Sequence, residues 1–118
     1  MSNGEFNFTL KQGESRRIPL VWKANGVAVN LIGCTAKMQL RRKIADEDGA
    51  EPLYELSTAN GRIGITAAEG KVELIFDDSA FIGAKWRDAV YDLEITFPDG
   101  TVKRLVEGKV TLRPEVTR

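Results

Sequence analysis

The chain has 118 residues, 42% hydrophobic and 29% charged, which fits one globular domain with its own core and needs no metal or disulfide staple. Seventeen basic residues balance seventeen acidic ones, giving a net charge of +0, so the broad basic field of a typical nucleic-acid binder is missing. No apolar run approaches the roughly 18 residues of a membrane-spanning helix, and Met1-Ser2-Asn3-Gly4-Glu5 lacks the basic-then-apolar order of a secretory signal.

Period-two alternation dominates the chain, the pattern of strands with one buried face. Phe6, Phe8 and Leu10 open it, and Lys11-Gln12-Gly13-Glu14-Ser15 turns the chain. Ile18, Leu20 and Trp22 follow in phase, with Pro19 on the other parity; a proline cannot donate to a ladder, so this strand lies at an edge or starts near that residue. Asn25-Gly26 predicts a tight hairpin turn with positive φ at both residues. Ala36, Met38 and Leu40 make the next strand, Ala45–Glu51 a polar loop, and Leu53–Leu56 a short strand before the Asn60-Gly61 turn. Ile63 and Ile65, then Val72, Leu74 and Phe76, continue the pattern.

Asp77-Asp78-Ser79 offers N-cap side chains for a helix of about two turns over Ala80–Trp86. Tyr91, Leu93, Ile95 and Phe97 alternate next, Pro98-Asp99-Gly100 turns, and Val102–Leu112 forms a last long strand. Arg104 and Gly108 interrupt its apolar parity, which predicts a bulge or a shared interface there. These elements amount to an all-β antiparallel sandwich or barrel of about 7–9 strands with one short helix near residues 78–86. The strands do not alternate with helices, so a doubly wound nucleotide-binding fold is not expected.

Chemistry is sparse. There is no histidine, which removes the usual general base and zinc ligand, and no phosphate-binding glycine loop. Cys34 reads as a small hydrophobe after a turn. Arg41-Arg42-Lys43 is the strongest basic patch, but Asp46, Glu47 and Asp48 follow it. The fragment from Asp46 to Gly49 has the opening of a calcium loop without its late bidentate Glu. Asp92 and Glu94, a carboxylate pair on one strand face, fit outward polar positions better than a glycosidase site. No catalytic residue, metal or cofactor is expected. Trp86 either caps one end of the sandwich or joins Phe81 as an exposed anchor for a partner.

The order Phe8-Thr9-Leu10-Lys11-Gln12-Gly13-Glu14, Ile18-Pro19-Leu20-Val21-Trp22, Asn30-Leu31-Ile32-Gly33-Cys34-Thr35-Ala36, Pro98-Asp99-Gly100-Thr101 and Glu107-Gly108-Lys109-Val110-Thr111-Leu112 resembles a group of small tailed-bacteriophage virion proteins. In layout it is similar to the N-terminal immunoglobulin-like domain of phage baseplate upper proteins. The resemblance implies a single immunoglobulin-like sandwich over residues 1–118. It implies a tail, baseplate, fibre-attachment or head-decoration subunit that acts by protein–protein contacts. The expected location is the virion, with the host cytoplasm before assembly. Expected partners are other virion proteins in a symmetric assembly, with homo-oligomers admitted and no nucleic acid or membrane. Residues 1–5 and 113–118 lack core patterning and suit frayed ends or arms, which adds Arg113, Pro114, Glu115 and Val116 to the candidate contacts. A second reading is a carbohydrate-binding module, which requires Trp22, Tyr54, Trp86 and Tyr91 on one exposed face.

Overall fold

A computed structural model of the chain describes residues 4–42 and 53–114. Eleven strands are present among them: β1 (Gly4–Glu5), β2 (Phe8–Lys11), β3 (Arg16–Val21), β4 (Lys23–Ala24), β5 (Val27–Ala28), β6 (Thr35–Arg41), β7 (Tyr54–Ser57), β8 (Ile63–Thr66), β9 (Lys71–Phe76), β10 (Asp88–Thr96) and β11 (Val102–Arg113). Three of these are only two residues long, which is why the number exceeds the expected range. The larger sheet has the order β1-β11-β10-β6-β7, with β2 also on the outer edge of β11. The smaller sheet is β3-β9-β8, and β4 and β5 form a separate hairpin.

Alternation explains which side chains go inward. Ala36, Met38 and Leu40 on β6, Val72, Leu74 and Phe76 on β9, and Ala89, Tyr91, Leu93 and Ile95 on β10 are all buried. The two sheets contribute to one core, and aromatic rings stitch them together: Phe76 on β9 lies 6.2 Å from Phe8 on β2 and 6.3 Å from Tyr54 on β7, centroid to centroid. Each Val, Leu, Ile, Phe or Met side chain among them contributes about 1.5–3 kcal/mol of transfer free energy when fully buried.

Several expectations are met in detail. Asn25 and Gly26 take φ of 53° and 80°, and the turn pairs Lys23 with Ala28 and Ala24 with Val27. Pro19 lies on β3, which among the described residues is an edge strand paired with β9 alone. The long β11 carries its bulge at Leu105: Leu93 pairs with Val106, and the next residue, Glu94, pairs with Arg104. The extra residue switches the inward parity, so Leu105 and Val106 are both buried while Arg104 faces out.

Two expectations are corrected. The larger sheet is mixed rather than antiparallel, because β1 and β2 both run parallel to β11. Alternation carries no direction; a hairpin does, and no hairpin joins the two ends of the chain. The helix near residues 78–86 is absent. The segment forms successive turns instead, with Ala80, Ile82 and Ala84 N–H groups donating to the carbonyls three residues back, Asp77, Ser79 and Phe81, at 3.0, 3.4 and 3.0 Å. Gly83 sits at φ 79°, which ends any helical run, and so short a helix has too few hydrogen bonds to offset its nucleation cost. The only helical turn among the described residues is a 3-10 turn at Ala67–Glu69.

Candidate functional site

The turns between β9 and β10 meet the end of β11 at one end of the molecule. The Gln12 side chain donates from Nε2 to the Phe81 carbonyl at 2.7 Å, and its backbone N–H donates to the Arg113 carbonyl at 2.9 Å. Leu112 N–H donates to the Arg87 carbonyl at 2.7 Å. Four of the six predicted contact residues, Phe81, Trp86, Arg113 and Pro114, therefore belong to this end. Glu115 and Val116 lie outside the described residues, as does the acidic stretch from Asp46 to Glu51.

Phe81 is not an exposed anchor. It is 6% exposed, packed in the core with its ring tilted against Tyr54 at 4.8 Å and Phe76 at 6.1 Å. Trp86 is half-buried and meets Phe81 edge to face at 5.5 Å, so the pair closes this end of the core. Once the helix is lost, nothing holds Phe81 on an outer face, and the apolar ring goes where it is desolvated. Arg113 and Pro114 are exposed, and Ile82, 76% exposed, stands at the tip of the same turns. Sequence reasoning missed Gln12, whose amide ties the two segments together; a turn glutamine carries no periodic signal.

The outer face of β11, β10, β6 and β7 is a second open surface. One cross-strand row runs Glu5, Glu107, Asp92, Gln39, Glu55. Three carboxylates stand side by side in it, an arrangement that costs stability unless neighbours compensate. They do so in part: Arg104 pairs with Asp92 at 3.1 Å, Lys37 with Glu55 at 3.5 Å, and Gln39 donates to Glu55 at 3.1 Å. A shallow depression of about 430 Å³ lies over this face, with Arg41 and Lys109 among its walls. Asp92 and Glu94 are on this face, and Asp92 is ion-paired with Arg104. Cys34 is partly buried against the core; burial, and then the charge of Asp99, push its thiol up and keep it protonated.

Trp22 and Tyr91 are buried at 6% and 5% exposure, so the four aromatics required by a sugar platform do not share an exposed face. Trp22 packs edge to face on Phe97 at 5.9 Å. Tyr91 donates its hydroxyl to the Phe6 carbonyl at 2.6 Å. Burial pushes the Tyr91 phenol well above its usual range. The folded chain then holds this proton more tightly than the unfolded chain, so its contribution is intact below about pH 10 and is lost as pH rises beyond that. Urea titrations of the wild type between pH 9 and pH 11 should show falling stability. Tyr91→Phe should make that decline shallower, leaving the smaller shares of Tyr54 and Cys34, whose values are raised in the same direction.

The chain matches no protein-family model, and no curated protein is similar to it.

Proposed function

We propose that the chain is an immunoglobulin-like structural or accessory subunit of a tailed-bacteriophage virion, working through protein–protein contacts. One observation carries the fold half of this reading. Immunoglobulin-type sandwiches place strands B, D and E in one sheet and C, F and G in the other, and variable-type domains extend the second sheet beyond C. With β3 as B, β6 as C, β7 as its extension, β8 as D, β9 as E, β10 as F and β11 as G, the two sheets here separate the strands in the same way. The family's inter-sheet disulfide has no counterpart, since the chain has one cysteine, and β1 and β2 pair with β11 instead of joining β3.

The functional half rests on the resemblance of the chain, from about Phe8 to Thr117, to phage virion proteins. The surface suits it. The surface carries a polar, charge-paired sheet face and exposed Val27, Ile32 and Ile82, and in a symmetric assembly such modest contacts add through effective concentration. Quantitative mass spectrometry of virions purified from a lysate that expresses the chain tests the reading. The chain should appear in fixed stoichiometry with the tail or head proteins. Its absence from washed particles would sink the proposal.

A further inference from the structure

Four asparagines stand among the described residues, and three of them have committed side chains. Asn7 Oδ1 accepts from Lys109 N–H at 2.8 Å, and Asn30 Oδ1 from Ile32 N–H at 3.0 Å. Asn60 Oδ1 accepts from the N–H groups of Ser57 and Arg62, both at 3.0 Å, and its Nδ2 donates to the Glu55 carbonyl at 3.2 Å. Asn25 is the exception. Its amide makes no hydrogen bond among the described residues, and it stands exposed at the tip of the β4–β5 turn.

The next residue matters as much, because an asparagine amide is attacked by the backbone nitrogen that follows it. A glycine there leaves that nitrogen unshielded. Two described asparagines precede glycine, Asn25 and Asn60, and both are exposed, so exposure does not separate them. Hydrogen bonding does. Gly61 N–H donates to the Thr58 carbonyl at 3.4 Å, in addition to the bonds that hold the Asn60 amide. Gly26 N–H has no acceptor among the described residues, as the second central residue of a type I′ turn requires. The Asp99-Gly100 turn is guarded as well. Asp99 Oδ1 accepts from Thr101 N–H at 2.8 Å, which holds the carboxyl below its usual range and keeps it ionised, a poor electrophile. Gly100 N–H donates to the Phe97 carbonyl at 2.9 Å.

The Asn25 turn is also lightly anchored. Among the described residues β4 and β5 form a sheet of their own, in which Lys23 pairs with Ala28 and Ala24 with Val27. A ribbon this short opens at small cost, which lets the Asn25 side chain swing its Cγ onto the Gly26 nitrogen. Asn60 has to break its own hydrogen bonds first.

We propose that Asn25 is a site of spontaneous covalent modification, deamidating to aspartate and isoaspartate in the folded protein while Asn60 is spared. The Gly26 backbone nitrogen loses its proton to solvent hydroxide and bonds to Asn25 Cγ. The Cγ–Nδ2 bond breaks and ammonia leaves, taking a proton from water and regenerating hydroxide; a cyclic imide remains. Water then adds to one of the two imide carbonyls, and the bond from that carbon to the Gly26 nitrogen breaks. Opening at Cγ gives aspartate, and opening at the Asn25 backbone carbon gives isoaspartate. Either product places a carboxylate at the hairpin tip beside Val27, which is 68% exposed. Isoaspartate also adds a carbon to the backbone, which a two-residue turn cannot absorb while Ala24 stays paired with Val27. The hairpin therefore has a neutral form and an anionic one. The reaction does not depend on a virion context, and its test is separate from the particle analysis above.

The full chain is aged in mildly alkaline buffer, folded or in urea, and digested with trypsin for mass spectrometry. Cleavage after Lys23 and Lys37, and after Lys43 and Arg62, puts Asn25 and Asn60 in separate peptides. In the folded chain Asn25 should convert about tenfold or more faster than Asn60, with isoaspartate resolved from aspartate as a second peak of the same mass. In urea the two should convert at similar rates, since both precede glycine. Asn25→Gln should leave its peptide unmodified, because the longer side chain closes a ring far more slowly. Three outcomes overturn the proposal: Asn60 keeping pace with Asn25 in the folded chain, Asn25 staying intact there while urea converts it, or the Asn25→Gln peptide still gaining the acidic mass, which would place the reaction at Asn30.

Discussion

Phe76→Ala is expected to cost about 3–5 kcal/mol, the usual range for removing a buried phenylalanine. Phe76 ends β9 and is 2% exposed. Its ring faces Phe8 of β2, Tyr54 of β7 and Phe81 of the following turns at 6.2, 6.3 and 6.1 Å. Those partners belong to the opposite sheet and to the end closure, so the cavity would open where the two sheets and the closing turns meet. Collapse around it is limited, because Phe8 and Tyr54 are held by their own ladders to β11 and β6. A domain of this size is stable by about 5–15 kcal/mol in all, so the variant should lose a large share of it. Urea unfolding followed by tryptophan fluorescence gives the number, with an unchanged slope confirming that the loss is of stability alone. A cost under about 1 kcal/mol would mean that the sheets are not coupled through this ring.

Much of this coupling is legible in the sequence, because one face of each strand is buried and the parity of Phe8, Leu74, Phe76, Leu93 and Ile95 states which. Local chemistry is legible as well. Asn25-Gly26 dictates its turn through positive φ, and Pro19 dictates an edge by lacking a donor. What alternation cannot state is direction and partner. β2 and β11 are as regular as any other strands, yet nothing local says that they run parallel across a hundred residues of sequence. The segment from Asp77 to Trp86 misleads for a related reason. Its cap residues are real turn formers, but the core takes Phe81, and Gly83 bends the chain, so tertiary demand overrides weak helical propensity. The candidate end of the molecule is therefore only half readable. Arg113 and Pro114 are exposed as unpatterned residues should be, whereas Phe81 is drawn inside by neighbours far away in sequence.

The break in parity at Gly108 is readable as a signal but not as a cause, and it sets up the other large effect. Gly108 occupies an inward position between Val106 and Val110, where its neighbours bury apolar side chains. Its backbone angle is not what requires glycine; its space is. A Cβ at this position would fall far inside van der Waals contact of the Phe6 carbonyl oxygen and 2.8 Å from Asn7 Oδ1. The opening segment crosses β11 here, between β1 and β2. The Phe6 carbonyl reaches across the missing side chain to accept the Tyr91 hydroxyl at 2.6 Å. Lys109 N–H is meanwhile satisfied by the Asn7 side chain in place of a backbone carbonyl. Gly108→Ala must push this crossing outward. The clash costs about 1–3 kcal/mol as overpacking, and the Tyr91 and Asn7 hydrogen bonds add about 1 kcal/mol each if broken. With both bonds broken the expected total is about 3–5 kcal/mol, with faster exchange of the Phe6 and Lys109 amides. Tyr91→Phe separates the contributions. It removes one hydrogen bond without a clash, so it should cost about 1–2 kcal/mol and leave the Lys109 amide protected. Should Gly108→Ala prove as mild as Tyr91→Phe, with Lys109 still protected, the close crossing of Phe6 over Gly108 would not be what anchors the opening strands to β11.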